Sequence, residues 1–148
     1  MAIHTATTYW EGDPVDGKGL ITLGSGHLVE PYSFASRFGD RKGTSPEELL
    51  GAALSGSFSM ALAEGLAGAG FEQMQMHTDA KVCITHVENE YRINSVFLNI
   101  NAKVPNISME KFSECIENAK STCLVAKTLV HIEIDLVANL DNSSLRAV

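Results

Sequence analysis

Two side chains invite a nucleophile's role: Ser57, in Gly56-Ser57-Phe58-Ser59, and Cys123, in Ser121-Thr122-Cys123-Leu124. A serine hydrolase of the nucleophile-elbow type sets its serine on a strand-to-helix turn within GxSxG, and Gly51–Ser59 holds no such motif. None of His4, His27, His77, His86 and His131 is placed by spacing to serve Ser57 as a base. On spacing alone Ser57 is a small helix residue bonding back to a carbonyl. Cys123 closes an apolar helical stripe, where a thiol ordinarily acts as a small buried hydrophobe. Cys115 lies eight residues earlier, about 12 Å along a helix, too far for a disulfide within it. Cys83 alternates in step with Lys81 and Thr85, which suits strand packing or the surface. Arg37 precedes a pair of carboxylates, Glu47 and Glu48; taken singly these are a loop charge and two partners of a helix dipole. Gly65, Gly68 and Gly70 do not follow a strand as a phosphate-binding loop requires, and the histidines show no metal-ligand spacing.

The element that must position Ser57 starts at Ser45-Pro46-Glu47-Glu48. Ser45 can cap free amides, Pro46 suits the first helical position, and Glu48 stands where a capping box needs a carboxylate. From Leu49 to Ala63 no residue is charged. Leu50, Leu54, Phe58, Met60 and Leu62 cover every side of the cylinder, between small residues such as Gly51, Ala52, Ala53, Ser55 and Gly56. This pattern predicts a central helix running to about Phe71 and buried all round. The apolar run, closed by Glu64, is shorter than the roughly 20 residues a bilayer demands.

Around this helix the pattern predicts strands at 3–10, 19–23 and 31–38, then a charged connection over 39–43. After the helix, strict alternation at 78–87 and 92–104 around Glu88-Asn89-Glu90 predicts an antiparallel hairpin. Met109, Phe112, Ile116, Ala119 and Cys123 form the stripe of a second helix. A short helical piece, 124–129, leads to a last strand in which Ile132, Ile134, Leu136 and Ala138 alternate with polar residues. The tail beyond Leu140 is polar and expected to fray. This order predicts an α+β fold with largely antiparallel sheets, as one domain over 1–148.

Composition sets outer bounds. A net charge of −7 argues against nucleic acid and anionic membranes as partners. The first residues, Met1-Ala2-Ile3-His4-Thr5, lack the basic and apolar regions of a signal peptide. Three cysteines without CxxC spacing fit a reducing cytoplasm better than a disulfide framework or a zinc ribbon.

Taken together the residues resemble the OsmC branch of the OsmC/Ohr family of thiol peroxidases, which reduce organic hydroperoxides. The resemblance covers about Ile3 to Leu140. It rests on Tyr9-Trp10-Glu11-Gly12-Asp13, Pro31-Tyr32-Ser33-Phe34 with Arg37-Phe38, Gly43-Thr44-Ser45-Pro46-Glu47-Glu48-Leu49, Phe58-Ser59-Met60-Ala61-Leu62 and the lone Cys123. It implies a peroxidatic cysteine midway along the central helix and a resolving cysteine near the end of the second. It also implies an arginine and a glutamate that hold the first thiolate reactive. By position the resolving cysteine is Cys123, the arginine Arg37 and the glutamate Glu47. The peroxidatic position is Ser57.

That departure carries a chemical consequence. The peroxidatic step needs a thiolate that attacks the O–O bond, becomes a sulfenic acid and then a disulfide. A serine hydroxyl is not appreciably ionised near neutral pH and forms neither product, so Ser57 should impair or abolish the cycle. Two origins for Ser57 stay open, a deliberate Cys→Ser exchange or a natural paralogue that lost the step. Gly56, where an alanine is usual, and Leu124, where a proline is often found, lean towards the paralogue.

The resemblance further implies an intertwined homodimer with a pocket at each subunit interface, lined in part by Phe58 and Met60 and suited to an apolar hydroperoxide. It implies no metal and no bound organic cofactor, only an external dithiol reductant (lipoyl-type for Ohr members). Helix geometry points the same way. Glu47 and Ser57, ten residues apart, are separated by about 15 Å on one helix, so they can share a small site only across two subunits. The alternative to peroxidase chemistry is a non-catalytic protein that binds an apolar or oxidised ligand in that pocket.

Overall fold

The computed structural model describes residues 1–39 and 42–141. The expected frayed tail beyond Asp141, and Asp40 and Arg41 of the charged connection, lie outside the described residues. The chain divides into two compact units, Met1–Leu49 and Leu50–Val148.

The first unit is an antiparallel meander of β1 (Ala6–Glu11), β2 (Lys18–Leu23) and β3 (Val29–Tyr32). Its first connection is held by Asp13, whose Oδ1 accepts from the amides of Val15 and Asp16 at 2.8 and 2.9 Å. Its second turns through Gly26, at φ +76°, a conformation that favours glycine. The expected strand over 31–38 ends early. Ser33 is extended at φ −159° and caps a short helix, α1 (Phe34–Phe38). Its Oγ accepts from the Ser36 amide at 3.0 Å, while Ser36 Oγ accepts from the Ser33 amide at 2.8 Å. This reciprocal pair satisfies two amides that a strand would have paired with a neighbour, so the local capping box overrides the strand pattern.

Helix α2 (Pro46–Gly68) begins as its start signal predicts. Ser45 Oγ accepts from the Glu48 amide at 3.1 Å, and the Glu48 carboxylate takes the Thr44 hydroxyl at 2.8 Å. The helix is 23 residues long, enough by length and composition to span a bilayer, contrary to the shorter apolar run taken from sequence. It is also not buried all round. Leu54, Phe58, Leu62 and Leu66 face the core at four-residue spacing, whereas Ala52, Ala53, Gly56, Met60 and Ala67 are exposed in the single chain. Met60 is 76% exposed.

In the second unit β4 (Gln75–Val87) and β5 (Glu90–Lys103) form the expected hairpin. Its two turn residues, Glu88 and Asn89, have φ of 51° and 65°. Both are positive, as a two-residue turn of the primed class needs. Helix α3 (Met109–Thr122) is capped by Ser108, and after α4 (Leu124–Thr128) the chain enters β6 (Glu133–Leu140). The sheet order is β4-β5-β6, and β6 runs parallel to β5, so this sheet is mixed. The physical reason is the crossover: α3 and α4 carry the chain back to the starting end of β5, which a tight hairpin cannot do. The core of this unit packs Leu54, Phe58, Leu62 and Leu66 with Val96, Leu98, Ile100 and Ala102 of β5 and Phe112, Cys115, Ile116 and Ala119 of α3. Gly51 lets α2 approach β4, because a Cβ there would lie 3.3 Å from Val82 Cγ2 and 3.5 Å from Ala80 Cβ.

Candidate functional site

Cys123 sits at the joint where α3 ends and α4 begins, at φ −58° and ψ 117°, and is fully buried. The break arises because the apolar stripe of α3 stops there and the chain must turn to reach β6. At this joint its Sγ–H donates to Ser57 Oγ at 3.3 Å. The Val125 amide, free at the start of α4, donates to the same oxygen at 3.4 Å. Ser57 is half-buried on the flank of α2, next to the core-facing Phe58. Two residues separated by 66 positions in sequence are thus neighbours in space.

The other two predicted residues meet in the first unit. The capping box of α1 sets Arg37 in its last turn, and Pro46 at the start of α2 sets Glu47 in its first. Arg37 Nε donates to Glu47 Oε1 at 2.9 Å, and Arg37 Nη2 donates to the same oxygen. The arginine side chain is 41% exposed while Glu47 is buried. Arg37 therefore stabilises a carboxylate withdrawn from water, and hydrogen bonds to a charged group are worth about 1.5–3 kcal/mol each. Glu47 Oε2 is buried without a hydrogen-bond partner among the described residues.

Beside Arg37 the first unit holds a cleft of about 320 Å³ lined by Trp10, Pro14, Tyr32, Ser33, Phe34, Arg37 and Pro46. The rings of Trp10 and Tyr32 lie 5.5 Å apart, and those of Phe34 and Phe38 meet at 4.7 Å, tilted by 50°. Such a cleft offers apolar faces and one cation, which suits a ligand with an apolar body and a polar or anionic head. The aromatic residues stood out in the sequence as runs, Tyr9-Trp10 and Pro31-Tyr32-Ser33-Phe34, but without periodicity to join them. The side chains expected to line a pocket diverge. Phe58 is 1% exposed within the core of the second unit, and Met60 points away from it. Cys115 is buried on α3 with its Sγ 3.9 Å from the Gly65 carbonyl, and Cys83 is half-buried on β4. Among the described residues no group of three His, Cys, Asp or Glu side chains converges to hold a metal ion.

Residues 39–137 match the family model described as OsmC-like protein. The chain is 40% identical over 131 residues to the peroxiredoxin OsmC of Escherichia coli strain K12, a match covering 87% of this chain and 92% of that one. The same figures hold for the peroxiredoxin OsmC of Shigella flexneri. Among solved structures, an organic hydroperoxide resistance protein from Elizabethkingia anophelis superposes with a TM-score of 0.71 at 22% identity, covering 95% of this chain and 99% of its own. The organic hydroperoxide resistance protein OhrB of Bacillus subtilis gives 0.65 at 20% identity, covering 93% and 98%. At those identities the two structures speak to the fold alone.

Proposed function

From the premise that this chain belongs to the OsmC-like protein family, we propose that it keeps the family's site for an organic hydroperoxide but does not complete the two-thiol reduction, because its attacking thiol is replaced by Ser57. One observation carries this reading: Ser57 Oγ stands 3.3 Å from Cys123 Sγ, a separation suited to an attacking and a resolving thiol.

The chemistry can be written for Ser57→Cys. Its thiolate attacks the distal oxygen of ROOH, the O–O bond breaks, and the alkoxide takes a proton to leave as ROH. The sulfur, now a sulfenic acid, is attacked by the Cys123 thiolate; the S–O bond breaks as the S–S bond forms, and the departing hydroxide takes a proton from solvent to leave as water. A dithiol such as a lipoyl group then reduces the disulfide by exchange and is itself oxidised. No metal or organic cofactor enters these steps. Ser57 can do none of this, since its hydroxyl keeps its proton and oxygen has no equivalent disulfide.

Arg37 and Glu47 would act on this centre from a second copy of the chain. Glu47 and Ser57 lie on the unbroken α2, about 15 Å apart by helix rise, too far for one small site. The exposed small-residue face of α2 supports a homodimer in which two such helices approach closely. Cys83, Cys115 and Cys123 are unpaired, which suits a reducing cytoplasm.

A second reading, a non-catalytic binder of an apolar or oxidised ligand, is favoured by the aromatic cleft beside Arg37. The test is consumption of an organic hydroperoxide with a dithiol, by the parent chain and by Ser57→Cys side by side. Turnover by Ser57→Cys alone is the expected result. Turnover by neither would overturn the silenced-peroxidase reading and favour the binder.

A further inference from the structure

Gly19 lies inside β2, where a glycine weakens a strand and often marks the close approach of another group. Its φ lies outside the left-handed region, so the backbone there asks for no glycine. A ring asks for it. The three atoms nearest a Cβ built at Gly19 all belong to the Tyr32 ring: Cε1, Cζ at 2.6 Å and Cδ1 at 2.8 Å. In register Gly19 stands between Trp10 of β1 and Tyr32 of β3, so the three share one face of the sheet. Gly17, two residues earlier on that face, would set a Cβ 2.6 Å from Trp10 Cζ2. The Asp13 and Glu11 carbonyls crowd Gly17 as well, so the turn also requires it. At Gly19 the ring alone does.

The Tyr32 ring seated over this glycine borders two spaces. One is the cleft beside Arg37, and the other is a cavity of about 300 Å³ lined also by Lys18, Pro31 and Lys42. We propose that Gly19 is the specificity-determining residue of the cleft: its missing Cβ seats Tyr32 against Trp10, and the angled walls select a compact aryl group over a flexible alkyl chain. This rests on the binding reading of that cleft. The two rings are tilted by 50° and Phe34 adds a third, so an aryl guest meets aromatic faces and edges from several sides. Pro14 and Pro46 complete a lining with few rotors to freeze. A linear chain gains no ring contact and gives up its own rotor freedom on entering.

Trp10 is the chain's only tryptophan and lines the cleft, so its fluorescence reports occupancy directly. The probes are 2-phenyl-2-propanol and 1-nonanol, unreactive alcohols with equal numbers of non-hydrogen atoms. The parent chain should bind the aryl alcohol at least about tenfold more tightly, although the linear one is the more hydrophobic. Gly19→Ala should displace the ring and erase most of that ratio by weakening the aryl arm, with circular dichroism confirming the fold. Tyr32→Ala should erase it too, and adding Gly19→Ala to Tyr32→Ala should change nothing more, since the ring is gone. Should Gly19→Ala fail to fold, Tyr32→Ala alone decides: a retained ratio overturns the proposal. Binding of both alcohols without preference, or a ratio that survives Gly19→Ala, would overturn the proposal and leave the binding reading intact. Binding of neither would overturn both. Hydroperoxide turnover by Ser57→Cys is read separately from all of these outcomes.

Discussion

At position 57 a hydroxyl stands where the proposed reduction calls for a thiol, a difference of one atom that divides two chemistries. Exposing Ser57→Cys to one equivalent of an organic hydroperoxide should give a protein lighter by two hydrogens, with the disulfide to Cys123 found by peptide mapping. A stable sulfenic acid without that disulfide would mean the 3.3 Å neighbour cannot be reached by sulfur. Arg37→Ala removes both arginine donors from the buried Glu47 carboxylate and should cost about 1–3 kcal/mol, read as a lowered urea midpoint. Asp13 has a simpler task. Its carboxyl is held below the usual carboxylate range by the amides of Asp16 and Val15. A depressed folded value stabilises the folded state above about pH 3.9 and loses that stabilisation as pH falls through the folded value. The loop between β1 and β2 should therefore loosen only in that acid window, which an NMR titration of the Val15 and Asp16 amides would detect.

At the scale of elements, α2 has two faces with opposite demands. Gly51 touches β4, so Gly51→Leu should destabilise the chain by about 1–3 kcal/mol through overpacking against Val82 and Ala80, despite its better helix propensity. Leu54→Ala, on the core face, should cost about 2–5 kcal/mol. A thermal or denaturant unfolding series covers both. The start of α2, the hairpin of β4 and β5 and the stripe of α3 were legible because each depends on neighbours within one or two turns. The short α1 was not. Tyr32-Ser33-Phe34 alternates like a strand, and only the reciprocal bonds of Ser33 and Ser36 turn it.

For the molecule as a whole, the first unit is short of a core. Ile21 is its buried apolar side chain among the described residues, while Ile3, Tyr9, Val15 and Val29 are more than half exposed. A small sheet with so little burial gains stability by association. The exposed face of α2 offers a matching opportunity. No atom lies within 4 Å of where a Gly56 Cβ would stand, so Gly56→Leu should fold as a single chain. If two α2 helices pack through this face, that variant should sediment as a monomer while the parent chain is a dimer. A Gly56→Leu dimer as tight as the parent would place the interface elsewhere.

The chain's own sequence determined the order of its elements, the helix that carries Ser57 and the family to which its motifs belong, since these follow from local pattern and short-range capping. It also singled out Ser57, Cys123, Arg37 and Glu47 one by one. Tertiary structure decided what they do to each other. The meeting of Cys123 with Ser57 across 66 positions of sequence, the parallel seating of β6 and the choice of which side of α2 is buried all depend on contacts distant in sequence. An all-apolar helix offers every face to a neighbour, and only packing selects which face is taken.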